Sequence, residues 1–392
     1  MVTASSDSSS KIQPRNGARL QWLDALRGLL IVLMAIDHAS FFIDKVHRGE
    51  YWGMPLESYT NAVDFLTRFV THFCAPGFFF LMGIGIVLLA ESRYRAGWSR
   101  GKVLRHFALR GVVLIVLQFL LEDPAWLVGN LINPIEMLSP PGGGGEVWIY
   151  LGVLYGLGTA MIFWGVLLPA NVWTVLGISA GVVAVTQAFI PTLPDVYKLY
   201  SPFWRLLLIP GHTNVLLVFY PLFPWIGIVG FGVAFGKLLV KDEARAYKTA
   251  LITGAASLVL FFVLRLFDVG DFHPIAGPGW MAFFSMTKYP PSLVYILLTL
   301  GTVLLVLYFF VQISARAPRW FQVLGVYGGA PLVFYLAHLY LYEFIGFAFP
   351  TGTHIGVMYA LWLVGLLVLY PLCRWYGNFK RKTPPESLWR LL

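Results

Sequence analysis

An all-α, polytopic membrane protein with about ten transmembrane helices is what three features of the sequence predict. First, 58% of the 392 residues are hydrophobic and only 12% are charged, and the mean hydropathy is +0.72; an average soluble domain carries roughly 25% charged residues. Second, apolar runs long enough to cross a hydrocarbon core of about 30 Å recur along the chain. Third, the basic residues concentrate in alternate loops between those runs. Fourteen Trp and nineteen Tyr suit a protein with many helix ends in the interfacial belt. The net charge of +9 could suggest nucleic acid, but its placement in short loops and tails is explained by membrane orientation.

Taken in order, the runs fall near 22–43, 65–90, 106–121, 147–168, 171–190, 215–238, 248–267, 291–312, 328–348 and 355–373. Residues 1–19, polar and Ser-rich without a small-residue cleavage site, read as a disordered cytoplasmic tail. Residues 20–375 form the membrane domain, and 376–392 a basic cytoplasmic tail. With the N-terminus inside, Arg93, Arg95, Arg100, Lys102 and Arg105, then Lys237, Lys241, Arg245 and Lys248, then Arg316 and Arg319, all fall on the cytoplasmic side. The opposite loops are rich in Pro and Gly ("LSPPGGGGEVW", "GDFHPIAGPGW") and poor in Lys and Arg. Both termini are therefore expected in the cytoplasm.

Several chemistries find no support. Cys74 and Cys373 make neither a disulfide scaffold nor a thiol-redox motif and are expected to be reduced. The glycine run 142–145 follows no strand and precedes no Lys-Ser/Thr, so it reads as an outer loop rather than a phosphate cradle. No HExxH and no GxSxG occurs, so neither a metal centre nor a serine nucleophile is expected.

Ionisable groups inside membrane spans are costly and usually face the bundle interior. At ~1.5 Å rise per residue, His38 lies roughly 8 Å below the outer end of the first helix and His72, on the returning helix, roughly 10 Å below the same surface. Equal depth on consecutive helices predicts a pair, with Arg68 one turn before His72 on the same face. His212, Lys288 and His338 map to the same outer half. A general-base histidine with a polar partner fits this grouping. By contrast, His106, His273 and His354 sit at helix ends or in loops and read as interfacial residues, and His47 as solvated surface. Arg27 and His38, eleven positions apart, share a helix face and are separated by ~16 Å along the axis. A phosphate-compatible cation near the cytoplasm and a base near the outer cavity suit a long thin substrate such as a CoA thioester. Arg27 is equally readable as a positive-inside anchor or a partner for Asp24.

The motifs "RLQWLDALRGLLIVLMAIDH", "FLTRFVTHFCAPGFFFLMGIG", "FYPLFPWIGIVGFGVAFG", "SMTKYPPSLVYILLTLG" and "GAPLVFYLAHLYLYE" together resemble the bacterial branch of the heparan-alpha-glucosaminide N-acetyltransferase catalytic-domain family. That resemblance runs from about residue 19 to residue 343. It implies a transmembrane acyltransferase fold that takes acyl-CoA, acetyl-CoA first, from the cytoplasmic side and delivers the acyl group to a sugar beyond the membrane. It implies roles for Arg27, His38, His72, Lys288, Tyr289 and His338. Eukaryotic members associate catalysis with a histidine in the loop after the first helix, for which His47 stands here, so His38 and His47 both remain candidate bases. An envelope glycan or amino sugar is the expected acceptor.

The resulting expectation is a membrane acyltransferase. His38, His72, Asp37 and His47 are its catalytic candidates. Arg27 and Arg68 would hold the cofactor, with Gly227 and Gly230 giving room for the arm or for helix packing. Lys288, Tyr289, His338 and His212 would meet the acceptor or the oxyanion. No metal and no nucleic acid are expected; membrane lipid surrounds the chain, and a homodimer stays open. The competing readings are a proton-coupled exporter of a lipid or glycan and a non-catalytic partner in an envelope complex.

Overall fold

The computed structural model describes residues 20–46, 49–56, 58–132, 149–190, 202–212, 216–384, 386–387 and 389. The first span, α1 (Gln21–Ala39), continues into a π-helical turn, Ser40–Asp44, directly after His38. Next come α2 (Ala62–Phe69) and α3 (Cys74–Arg95), which together read as one broken span. The second run was expected to be one continuous helix. Instead a turn at 70–73 interrupts it and carries His72. α4 (Arg100–Leu117) leads through a second π-helical turn, Gln118–Glu122, into α5 (Asp123–Ile132).

The next two runs give β1 (Ile149–Leu151), α6 (Val153–Val166) and α7 (Val172–Phe189). After α8 (Pro202–Leu207) come β2 (Gly211–His212) and β3 (Leu216–Val218). The remaining elements are α9 (Leu222–Lys241), α10 (Glu243–Leu266), α11 (Trp280–Phe284), α12 (Leu293–Ser314), α13 (Arg319–Gly328), α14 (Pro331–Gly346) and α15 (Ile355–Lys382).

Among the described residues, eight helical segments are long and apolar enough to cross a membrane. A ninth is the pair α13–α14, bent by 84°; α6, in the fourth expected run, has only 14 residues. Its run was read as helix from residue 147, but β1 takes up its beginning by pairing in parallel with β3, which β2 joins antiparallel. The expected C-terminal domain boundary at 375 falls inside α15, which runs on to Lys382.

Polar caps start many helices: Asn61, Ser99, Asn171, Asp242 and Ser292 each accept a backbone N–H from the third residue on, satisfying donors that a helix start would otherwise orphan. Burial sorts the spans into two layers. In the apolar windows of the spans built on α1, α2–α3, α9 and α12, 61–72% of residues are buried; for those on α4, α7, α10 and α15 the share is 22–28%. The first group forms the interior and the second turns apolar side chains to lipid. α3 and α9 approach backbone to backbone: a Cβ on Gly83 would meet the backbone at Val229 and Val233, and one on Gly232 the backbone of Phe80. Small residues permit such crossings in membranes.

Candidate functional site

α1 ends inside the bundle with its polar residues divided between two neighbours. His38 Nδ1 lies 2.6 Å from Nε2 of His338 on α14, and the rings are stacked with centroids 4.8 Å apart. His338 is fully buried, and its Nδ1 lies 2.9 Å from the Phe334 carbonyl, one turn earlier in the same helix. A carbonyl only accepts, so His338 Nδ1 carries the proton. In neutral His338, Nε2 is then an acceptor, and His38 donates to it through Nδ1. Neutral His38 is thereby held in the tautomer whose basic lone pair is on Nε2. Trp126 and Tyr335 pack edge-on against the His38 ring.

The expected partnership of His38 with His72 is corrected. His72 Nε2 contacts Glu50 at 3.2 Å, and its ring packs beside Phe69 and Tyr295. Depth along two helices does not fix rotation about them, and the turn at 70–73 directs His72 toward the first outer loop. Arg68 goes the same way: Nε and Nη2 grip both oxygens of Glu50 at 2.7 and 2.6 Å, while Nη1 reaches Asp37 at 2.5 Å. Arg68 is only 5% exposed and its guanidinium is committed to two carboxylates, so it does not stand with Arg27. Asp37, set about 100° around the helix from His38, ties α1 to α2 through that contact. Burial opposes ionisation of Glu50, but Arg68 and His72 outweigh it and hold the carboxyl well below the usual range.

Glu50 was not among the sequence candidates. It is drawn inward because its carbonyl accepts the backbone N–H of both Lys288 and Tyr289, at 3.0 Å each, while Trp52 N–H donates to Tyr289 O at 2.8 Å. The loop carrying Lys288 is in turn strapped by Arg265. This buried residue donates to the carbonyls of Phe283, Ala282 and Ser285, and the Asp271 carboxylate accepts from Thr287 N–H.

Between these clusters lies a cavity of about 80 Å³, room for several waters at ~10–15 Å³ each by this measure. Asp37, His38, Thr71, Cys74, Glu122, Lys288, Tyr289 and Tyr335 line it, with Trp126, Tyr150, Phe219 and Tyr220 supplying aromatic walls. Glu122 was also missed. It caps α6 from a neighbouring element, accepting the N–H groups of Val153 and Leu154 at 3.3 Å, beside Gln118, which accepts that of Tyr155 at 3.1 Å. Gly152 is needed there, because a Cβ would collide with the Glu122 carboxyl. Tyr335 lies within hydrogen-bonding reach of the same carboxyl.

Of the other candidates, Lys288 and Tyr289 reach the cavity and Arg27 does not. Arg27 contacts Asp24 at 3.6 Å and lies against the α3 backbone near Gly85. Arg110 of α4 is within electrostatic reach of it. Gly227 and Gly230 abut α7, and Gly230 also the Trp164 ring, so both serve helix packing. His212 lies on β2, with its backbone paired to Leu217. His47 lies outside the described residues, as do the N-terminal tail and the 142–145 glycine run. No cluster of three His, Cys, Asp or Glu able to hold a metal occurs among the described residues.

A histidine of fixed tautomer thus lies beside a buried polar cavity inside a multi-pass helical bundle. Residues 19–266 match the family model described as "Heparan-alpha-glucosaminide N-acetyltransferase, catalytic", and the chain belongs to that family. Membership gives acyl-CoA-dependent transfer to a sugar or amino-sugar acceptor across the membrane. No curated protein matches the chain.

Proposed function

We propose that His38 is the general base of this acyl transfer, with His338 as its positioning residue. The observation carrying this reading is the chain from His38 through His338 to the Phe334 carbonyl at the cavity wall. Nε2 of His38 takes the proton from an acceptor hydroxyl or amine as that group attacks the thioester carbonyl carbon. The C–S bond then breaks, its electron pair leaves on sulfur, and His38 returns the proton to give the CoA thiol.

Acetyl-CoA approaches from the cytoplasmic side, with Arg27 and Arg110 as partners for its phosphates. Arg110 Nε and His106 Nε2 are buried without a hydrogen-bond partner among the described residues, which supports an anion in this region. The acceptor, an envelope glycan or amino sugar, meets the acyl group at the outer half of the bundle. The positive-inside pattern supports cytoplasmic termini in the inner membrane. The test is acetyl-CoA-dependent labelling of envelope glycans by purified protein in liposomes. His38→Ala is expected to insert normally and lose labelling by about 10²- to 10⁴-fold; undiminished labelling refutes the assignment.

A further inference from the structure

The polar groups of the cavity differ in how completely their hydrogen bonds are used. Asp37 is held by Arg68, His38 by His338, and Glu122 by two backbone N–H groups. Lys288 is the exception. It is 4% exposed and lines the cavity, yet among the described residues no oxygen accepts from its Nζ and no carboxylate pairs with it. Its Nζ lies over the face of the Tyr289 ring, 5.0 Å from the centroid, and within electrostatic reach of His72 and Cys74. Its donors are thus available to a group in the cavity. The backbone fixes its position: Lys288 N–H binds Glu50 O and the preceding Thr287 N–H binds Asp271.

We propose that Lys288 is a catalytic residue that donates to the oxyanion formed during acyl transfer. This rests on the reading of His38 as base. The argument is one of shared space and charge. Lys288 and His38 line the same cavity, so an acyl carbonyl under attack beside His38 shares that space with the Lys288 side chain. As the acceptor oxygen or nitrogen bonds to the carbonyl carbon, the C=O π pair moves onto oxygen and creates a negative charge that the thioester lacks. Lys288 Nζ–H donates to that oxygen, and the charge returns to sulfur when the C–S bond breaks. A donor aimed at developing charge from a fixed position acts more strongly on the transition state than on the neutral substrate.

The experiment follows CoA thiol release from acetyl-CoA by the full chain in detergent, with water or glucosamine as acceptor. Lys288→Met is expected to lower kcat about 10²- to 10³-fold, the loss typical of one oxyanion donor. KM for acetyl-CoA stays within about threefold, because the interaction is absent in the ground state. Lys288→Gln, which keeps a neutral donor, falls between the two, and serves if the Met variant does not fold. A kcat within about threefold of wild type overturns the inference. So does a raised KM for glucosamine at unchanged kcat, which makes Lys288 an acceptor-binding group. Absence of thiol release by wild-type protein overturns the transferase reading itself, whereas loss in His38→Ala with full activity in Lys288→Met overturns only this inference.

Discussion

Two buried histidines, expected at similar depth from helix rise alone, differ in what surrounds them. His38 faces another imidazole, which in turn donates to a backbone carbonyl. His72 faces Glu50 inside a cluster with Arg68 and Asp37. The first setting fixes the tautomer of a histidine that lines the cavity; the second joins the histidine to a carboxylate and makes it part of a clamp that fastens the first outer loop to the bundle. Partner chemistry, more than depth or burial, separates the histidine proposed as base from the one held in an ion-pair cluster.

The comparison is broken most severely through its structural half. Replacing Arg68 with Met leaves Asp37 and Glu50 buried together without their shared cation. Losing one partner of a buried ion pair costs about 3–5 kcal/mol, and a denaturation series in detergent should show a loss of that size. The catalytic half is sharpened by His338→Phe, which removes the acceptor fixing the His38 tautomer. kcat should fall at least about tenfold, inside the ~10²–10⁴ that a general base supplies. His338→Gln, able to accept from Nδ1 through its side-chain oxygen, should recover much of that loss; equal damage by both variants would leave His338 a packing residue only. The smallest effect belongs to His72→Gln. It retains a donor for Glu50, and thiol release should stay within about threefold of wild type; a larger fall would erase the distinction drawn between the two histidines.

Run length and charge placement made the spans readable from the chain, because the bilayer imposes both. They gave no warning of the break at 70–73, of the 84° bend between α13 and α14, or of the short strands that open two expected helices. Each of these depends on contacts between segments far apart in the chain. His38 and Lys288 were legible as charges misplaced in apolar surroundings. Glu50 was hidden in "HRGEYWG", a stretch that resembles ordinary outer loop, although the adjoining Tyr51 and Trp52, both buried, hinted at a loop that folds inward. Glu122 was hidden for a different reason: it follows the apolar run "VLQFLL" and looks like a terminus, whereas the helix carries on through a π-helical turn. Gly227 and Gly230 show the reverse error, since small residues in a membrane helix mark a crossing as readily as a substrate path.

Donation along the His38–His338 chain runs in one direction and stops at the Phe334 carbonyl, which has no proton to exchange. In the proposed mechanism a proton taken up by His38 Nε2 therefore stays on the cavity side and departs with the thiol sulfur. A hydroxyl acceptor balances this cycle, bringing in the one proton that sulfur carries away. An amino group that arrives as an ammonium brings one more than the cycle can absorb, and has to lose it before His38 can act. The same histidine pair thus treats alcohols and amines unequally without making any different contact to either.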